Sequence, residues 1–221
     1  MLVRFISSNT FLRIIFFLLV LALCPFQLES QSIIQKQIRK INSNNGLSHN
    51  IVNDILQDEL GYIWIASEDG LSRYDGYEFS IYRFDPDDST SISGNYIRCI
   101  FYDGEQNLWI SSRYGLNLYD PLKDQFRRFT LEGNRELDIT DIAAAGDGNL
   151  WVSNYVGGFL HFNRETGLFT SYNTATQPLA SNLVMAIHED RQGLIWVGTG
   201  DRGIQVFDHE KQTLVFSTIF P

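Results

Sequence analysis

"GYIWIAS" at residues 61–67, "QNLWISS" at 106–112, "GNLWVSN" at 148–154 and "GLIWVGT" at 193–199 are four copies of one short stretch. They hold all four tryptophans of the chain: Trp64, Trp109, Trp151 and Trp196, spaced 45, 42 and 45 residues apart. A rare residue recurring so evenly marks an internal repeat. A unit of forty-odd residues, built from short apolar runs split by Gly and Asp, has the size of one propeller blade.

Twelve and nine residues before each Trp stand Val52 and Ile55, Ile97 and Ile100, Ile139 and Ile142, and Val184 and Ile187. All eight are β-branched and apolar, which predicts an innermost strand buried on both faces between neighbouring blades. Each run opens on Asn50, Asn95 or Asn182, with Leu137 in that place in the third copy. Tight turns follow, carried by Asp58, Asp103, Asp147 and Asp190, because Asp bonds turn amides and Gly supplies positive φ. The second strand carries the Trp, whose apolar body fills the gap between blades, so Trp64, Trp109, Trp151 and Trp196 are structural repeat residues. A third strand starts at Gly70, Gly115, Gly157 and Gly203. An outer strand carries Phe79 and Tyr82, Phe126 and Phe129, Phe169 and Tyr172, then Leu214 and Phe216.

Four strands per copy predict an all-β fold, a β-propeller segment of four four-stranded antiparallel blades at 47–91, 92–134, 135–178 and 179–221 within 47–221. No segment after Ser30 shows helical apolar spacing. Residues 31–46 form a linker with an unpaired outer strand, in which Ile38 and Ile41 are spaced like an outer-strand pair. A spare outer strand with no blade to complete predicts an open arc, an incomplete propeller, rather than a closed ring.

The stretch "GLSHNIVNDILQDELGYIWIASEDGLSRYDGYEF" at 46–79 resembles the first blade of the two-component regulator propeller family, and the resemblance runs over nearly all of 45–221 in four copies. It implies a periplasmic sensor region of a hybrid two-component histidine kinase responding to oligosaccharides. The four blades imply a truncated relative without kinase or response-regulator domains. The second copy departs in having Gln106 where the others have Gly, and the third in lacking its opening Asn.

The remaining composition narrows the function. An aromatic content of 14% fills a core, and a net charge of −9 disfavours nucleic acid, whose binders rely on Lys and Arg. Arg4 and Arg13 before the apolar run Ile14–Leu23 form an N-terminal signal helix, residues 1–30, cleaved near Ser30. An uncleaved anchor over 11–28 is the alternative, and Leu23 before Cys24 argues against lipidation. Either way the blades are exported. Cys99 is then the one thiol left, read as a packed core residue.

A ligand site must break the repeat. Successive connections alternate between the two ends of a blade, so the variable links share one rim. That rim carries the candidate ligand-binding residues Glu68, Asp69, Arg113, Tyr114, Asn154, Tyr155, Asp201 and Arg202, rings and charges suited to stacking on a sugar and bonding its hydroxyls. The opposite rim, made of tight turns, reads as structural. The acidic link from Asp85 lacks the pattern of a calcium loop. His49, His161, His188 and His209 make no ligand motif and read as surface or turn residues. No nucleophile elbow or phosphate loop occurs, so no catalytic residue, metal or cofactor is expected. Propeller lyases share the Gly and Trp rhythm and are the enzyme alternative. A stand-alone scaffold that self-associates through exposed blade faces, or takes further blades, is the other.

Overall fold

The computed structural model describes residues 40–131 and 136–218. The expected signal segment, cleavage site and Ile38 lie outside them. Four antiparallel sheets, each a simple meander of four strands, follow one another along the chain. Blade 1 has β1 (Val52–Gln57), β2 (Ile63–Ser67), β3 (Gly70–Tyr74) and β4 (Phe79–Tyr82); blade 2 has β5 (Ile97–Tyr102), β6 (Leu108–Ser112), β7 (Gly115–Asp120) and β8 (Gln125–Phe129). Blade 3 has β9 (Ile139–Ala144), β10 (Leu150–Asn154), β11 (Gly158–Asn163) and β12 (Leu168–Tyr172); blade 4 has β13 (Val184–Glu189), β14 (Leu194–Thr199), β15 (Ile204–Asp208) and β16 (Thr213–Ser217). The innermost strands pack in series, β1 on β5, β5 on β9 and β9 on β13. No comparable packing joins β1 to β13, so the blades form an open arc.

The apolar cores lie between blades, not within them. Trp64 packs with Ile97 and Ile100 of blade 2, Trp109 with Ile139 and Ile142 of blade 3, and Trp151 with Val184 and Ile187 of blade 4. Each Trp is therefore buried by the blade that follows. This corrects two expectations. Trp196, with no following blade among the described residues, is 42% exposed, whereas Trp64 is 1% exposed. The paired apolar residues of the inner strand share one face, toward the preceding blade: Val52 and Ile55, with no preceding blade among the described residues, are 38% and 62% exposed. The opposite face carries Leu56, Phe101 and Ala143, which join the core with the next blade, and beside them Asn53 and Asp54, Arg98 and Cys99, Thr140 and Asp141. A β-bulge at these residues explains why the paired apolar positions stand three apart yet share a face. The bulge also aims Asp54 and Asp141 across the junction, where each accepts a backbone N–H of the next inner strand, from Ile100 at 2.8 Å and Ile187 at 3.0 Å. Cys99 is half-buried at the same bulge, and burial pushes its thiol up to about 12.

The turn aspartates fasten the tryptophans. Asp58, Asp103 and Asp190 each accept two turn amides on one oxygen and the indole N–H six residues on with the other, at 2.7, 3.0 and 2.8 Å. In blade 3 Ala145 occupies that position. Asp147, grouped with the other turn aspartates by sequence, is two residues further on and binds Asn149 instead. Glu189 of blade 4 supplies the missing acceptor, 2.5 Å from the Trp151 indole nitrogen. Three residues before each Trp the backbone is left-handed, at Gly61, Gly148 and Gly193, and at Gln106 with φ 66°.

The opening asparagines hold the preceding link: the side-chain oxygens of Asn50, Asn95 and Asn182 accept the amides of Ser43, Phe84 and Thr174. Asn50 thereby fixes a 3₁₀ turn at Ser43–Asn45, itself capped by Asn42. Within the described part of 31–46 the chain forms this turn, and Ile41 belongs to no sheet.

Asp103→Ala removes the acceptor of two turn amides, an indole and the Arg164 guanidinium, and is expected to destabilise the fold by about 3 kcal/mol in denaturant titration. Burial alone would raise the Asp103 carboxyl, but hydrogen bonds from Asn107, Trp109 and Glu105 outweigh it and hold it below the usual range. Its contribution is therefore present above the ordinary Asp value of about 4 and lost as pH falls through the lower folded value, so the wild-type advantage narrows in acid. Gln106→Gly relieves the left-handed side chain and is expected to stabilise by about 0.5–1 kcal/mol in the same titration.

Candidate functional site

Because each blade is a meander, the link between its second and third strands meets the entry to its own inner strand. The amide of Glu68 bonds the Ile51 carbonyl, Arg113 bonds Tyr96, Tyr155 bonds Asp138 and Gly200 bonds Leu183. These links and the long connections between blades make one rim.

Between blades 1 and 2 this rim opens into a groove of about 790 Å³. Glu68, Arg113 and Tyr114 line it, as expected from the sequence, with Phe84, Asn95, Tyr96 and Arg128 added. Tyr114 is 48% exposed, and its ring lies 3.0 Å from where a Cβ on Gly94 would stand, so Gly94 leaves room for that ring. Asp69 is at the edge, held by Arg83 at 3.1 Å and by Asn95 at 3.3 Å. Arg113 pairs with Glu136 at 3.4 Å, both groups about half exposed, an ion pair too open to hold the guanidinium firmly.

Arg128 explains the acidic link that begins at Asp85. Its guanidinium stacks on Phe84 at 5.2 Å and donates to the carbonyls of Ser91 and Asp88 at 2.6 Å, to that of Asp85 at 3.3 Å, and to the Ser91 hydroxyl. The link's oxygens thus converge on an internal cation. Burial lowers the Arg128 value, with Asp88 and Asp85 acting against it.

The other candidates fall elsewhere. Asn154 is buried and caps its own link through Val156, so it is unavailable to a ligand, a correction to its surface assignment. Tyr155 sits at the next junction, where Arg98 is sandwiched between it and Tyr96 at 5.2 and 5.1 Å and bonds Asp138 at 2.8 and 3.0 Å. That carboxylate raises the Arg98 value. Asp201 and Arg202 are exposed on blade 4, 3.8 Å apart, and do not reach the groove. Phe84, Asn95, Tyr96 and Arg128 were missed because their signal lies in the long connection and an outer strand; only the length of the link from Asp85 pointed there.

The turn rim is not flat. Between blades 3 and 4 it has a concavity of about 900 Å³ lined by Asp147, Trp151, Glu189 and His209. His161 and His209, expected at separate surface sites, stack 5.7 Å apart against Trp151, with His161 3.0 Å from Asp147 and His209 3.0 Å from the Tyr172 hydroxyl. The strand register, with His161 opposite Trp151, brings them together. Among the described residues no three His, Cys, Asp or Glu side chains converge as a metal site.

The profile of the two-component regulator propeller family matches residues 46–69, 91–114 and 178–201. These are the first, second and fourth copies; the unmatched third is the one with Leu137 and Ala145. The chain is 29% identical to the extracellular domain of a hybrid two-component system from B. thetaiotaomicron, with a TM-score of 0.72 over 83% of this chain and 26% of that one. Over 49 residues it is 53% identical to histidine kinase P4 of Formosa agariphila, 22% of this chain and 4% of the kinase. Virginiamycin B lyase from Staphylococcus aureus is 13% identical with a TM-score of 0.59, covering 77% of this chain and 56% of the lyase, a likeness of fold alone. The chain thus spans about a quarter of the length of the extracellular domain it matches. Among the described residues no helix is long and apolar enough to cross a membrane.

Arg128→Ala is expected to release the link at the groove's edge. Hydrogen exchange of the 85–91 amides should rise at least tenfold, with little change in the inner strands.

Proposed function

We propose, from the premise that the chain belongs to the two-component regulator propeller family, that it is the ligand-sensing propeller segment of an exported two-component sensor and that its ligand is an oligosaccharide. The observation that carries this is the groove between blades 1 and 2. There the rings of Phe84, Tyr96 and Tyr114 stand beside the guanidinium groups of Arg113 and Arg128 and the amide of Asn95, on the rim where the copies differ. Sugar rings stack their apolar faces on aromatic side chains and offer hydroxyls to charged and amide groups, and this lining provides both kinds of partner. The likeness to an extracellular two-component sensor domain supports the exported sensor role. A periplasmic location accords with the apolar run at 14–23.

Catalysis has no support in the groove, which holds no histidine and one carboxylate, Glu68. The likeness to a lyase supplies no catalytic set here. Signal transfer by phosphorylation is assigned to domains outside residues 1–221. The partners proposed for the segment are the oligosaccharide and further blades.

Calorimetry of the chain against panels of neutral and acidic oligosaccharides tests the reading. Tyr114→Ala and Arg113→Ala are each expected to weaken a binding sugar about tenfold, roughly the 1.4 kcal/mol of one stacked or charge-assisted contact. Tyr77→Ala, at an exposed turn between β3 and β4, should leave binding unchanged. Binding unaffected by either groove change would remove the groove from the account.

A further inference from the structure

Every blade presents the same two hairpin tips on the turn rim, so the copies can be compared tip by tip. In the turn between the first and second strands, Leu60 stands where the other copies have Glu105, Asp147 and Gln192. In the turn between the third and fourth strands, Tyr77 and Leu122 stand where blades 3 and 4 have Glu165 and Glu210. Leu60, Tyr77 and Leu122 are 78%, 92% and 96% exposed. One exposed apolar residue here and there is ordinary. Three at the tips of two adjacent blades, against polar residues at the same tips of blades 3 and 4, form a patch that packing within the arc does not account for.

A cavity of about 190 Å³ opens in the patch, between blades 1 and 2, with Leu60, Tyr62, Trp64, Tyr102 and Pro121 in its walls and Arg73 beside them. An apolar cavity of ~150 Å³ holds a benzene ring, so this one has room for one aromatic or large aliphatic side chain. Arg73 stacks on Tyr62 at 5.0 Å and commits one nitrogen to the Tyr119 hydroxyl at 2.6 Å and to Asp124 at 3.2 Å. Its other two guanidinium nitrogens have no acceptor among the described residues. Gln106, the side chain at a left-handed position where the other copies have Gly, donates to Glu59 at 2.5 Å and ties the turn of blade 2 to that of blade 1 at the cavity's edge. The charges on this part of the rim are mostly acidic: Glu59, Asp75 and Glu78 are exposed, and Lys123 is held by Asp120 at 3.0 Å.

We propose that the turn rim of blades 1 and 2 is a docking surface for a segment of a partner protein, which inserts one aromatic or large aliphatic side chain between Leu60 and Pro121 and carries lysine or arginine beside it. The cavity takes the anchor, and Leu60 and Leu122 close around it and exclude water. The exposed carboxylates meet the basic neighbours, and the uncommitted N–H groups of Arg73 suit a backbone carbonyl of the anchor residue. A second copy of this chain is the wrong occupant, because the chain carries a net charge of −9 and two such acidic rims repel. A small molecule in the cavity would leave Leu122 in water. This surface lies on the rim opposite the groove proposed for the oligosaccharide, and the inference is independent of that reading.

Selection of a phage-displayed random dodecapeptide library on the full chain tests this. Enriched peptides are expected to share an aromatic or large aliphatic residue with basic neighbours. In calorimetry a synthetic peptide of the enriched sequence should bind the double variant Leu60→Ser, Leu122→Ser about tenfold more weakly than the parent chain. Both leucines are exposed, so the variant should keep the parent's circular dichroism and thermal midpoint. Val156→Ser, at an exposed apolar residue on the opposite rim, should leave the affinity unchanged. No enrichment, enriched peptides without the apolar and basic pattern, or equal affinity for parent and double variant overturns the proposal. Light scattering that shows a dimer of the parent, lost in the double variant, would give the face to a second copy and equally sink it. N-acetylphenylalaninamide binding as tightly as the selected peptide would give the cavity to a small apolar ligand, again against the proposal.

Discussion

The structure depends on a division of labour seen at Trp64 and Trp109: the residue's own blade fixes the indole nitrogen, and the next blade buries the ring. The turn aspartate satisfies a donor that could not otherwise be buried without cost, and the following inner strand then closes over the apolar surface. Neither half suffices alone. Trp196, with no following blade among the described residues, keeps the hydrogen bond while its ring is 42% exposed. Stability is therefore a property of junctions, and an array of this kind is built by nearest-neighbour contacts.

The same arrangement determines where recognition is possible. At the three junctions the facing surfaces of the blades are used up by packing. What remains free is the rim, where the connections differ in length. The link from Asp85 is the longest departure from regularity between blades 1 and 2, and it is held by Arg128 rather than left loose. It delivers Phe84 and Tyr96 to the groove from its two ends, while Arg113 and Tyr114 come from the short link of blade 2. An asymmetric ligand needs such an asymmetric lining on a stiff base.

The blades were legible in the sequence because their signals are local: an even tryptophan spacing, Asp and Gly turns, and an apolar pair ahead of each turn. The direction in which each face looks was not. A spacing of three between Ile97 and Ile100 reads as burial on both faces of a regular strand, and only the bulge puts both on one side. In the outer strand the same spacing has the opposite result, with Phe126 facing blade 1 and Phe129 facing blade 3. Part of the candidate groove was visible, since Glu68, Arg113 and Tyr114 lie beside the repeat's fixed positions. Asn154 looked equivalent to them and is buried. His161 and His209, 48 residues apart, meet only because one blade's third strand packs beneath the next blade's outer turn.

The third copy shows how far a blade can drift and still fit. It lacks the opening Asn and the turn Asp, and the family profile passes over it. Yet its strands pair in the same order as the others, and Trp151 is as buried as Trp64. The compensation comes from across the junction: Glu189 of blade 4 bonds the indole that Ala145 cannot, and the Leu137 amide finds the Arg113 carbonyl. Blade 2 behaves likewise, its Leu118 balanced by Arg164 of blade 3. Changes are thus tolerated when the neighbour answers them. The unit within which residues must agree is the second half of one copy together with the first half of the next, displaced by half a period from the unit that the sequence displays.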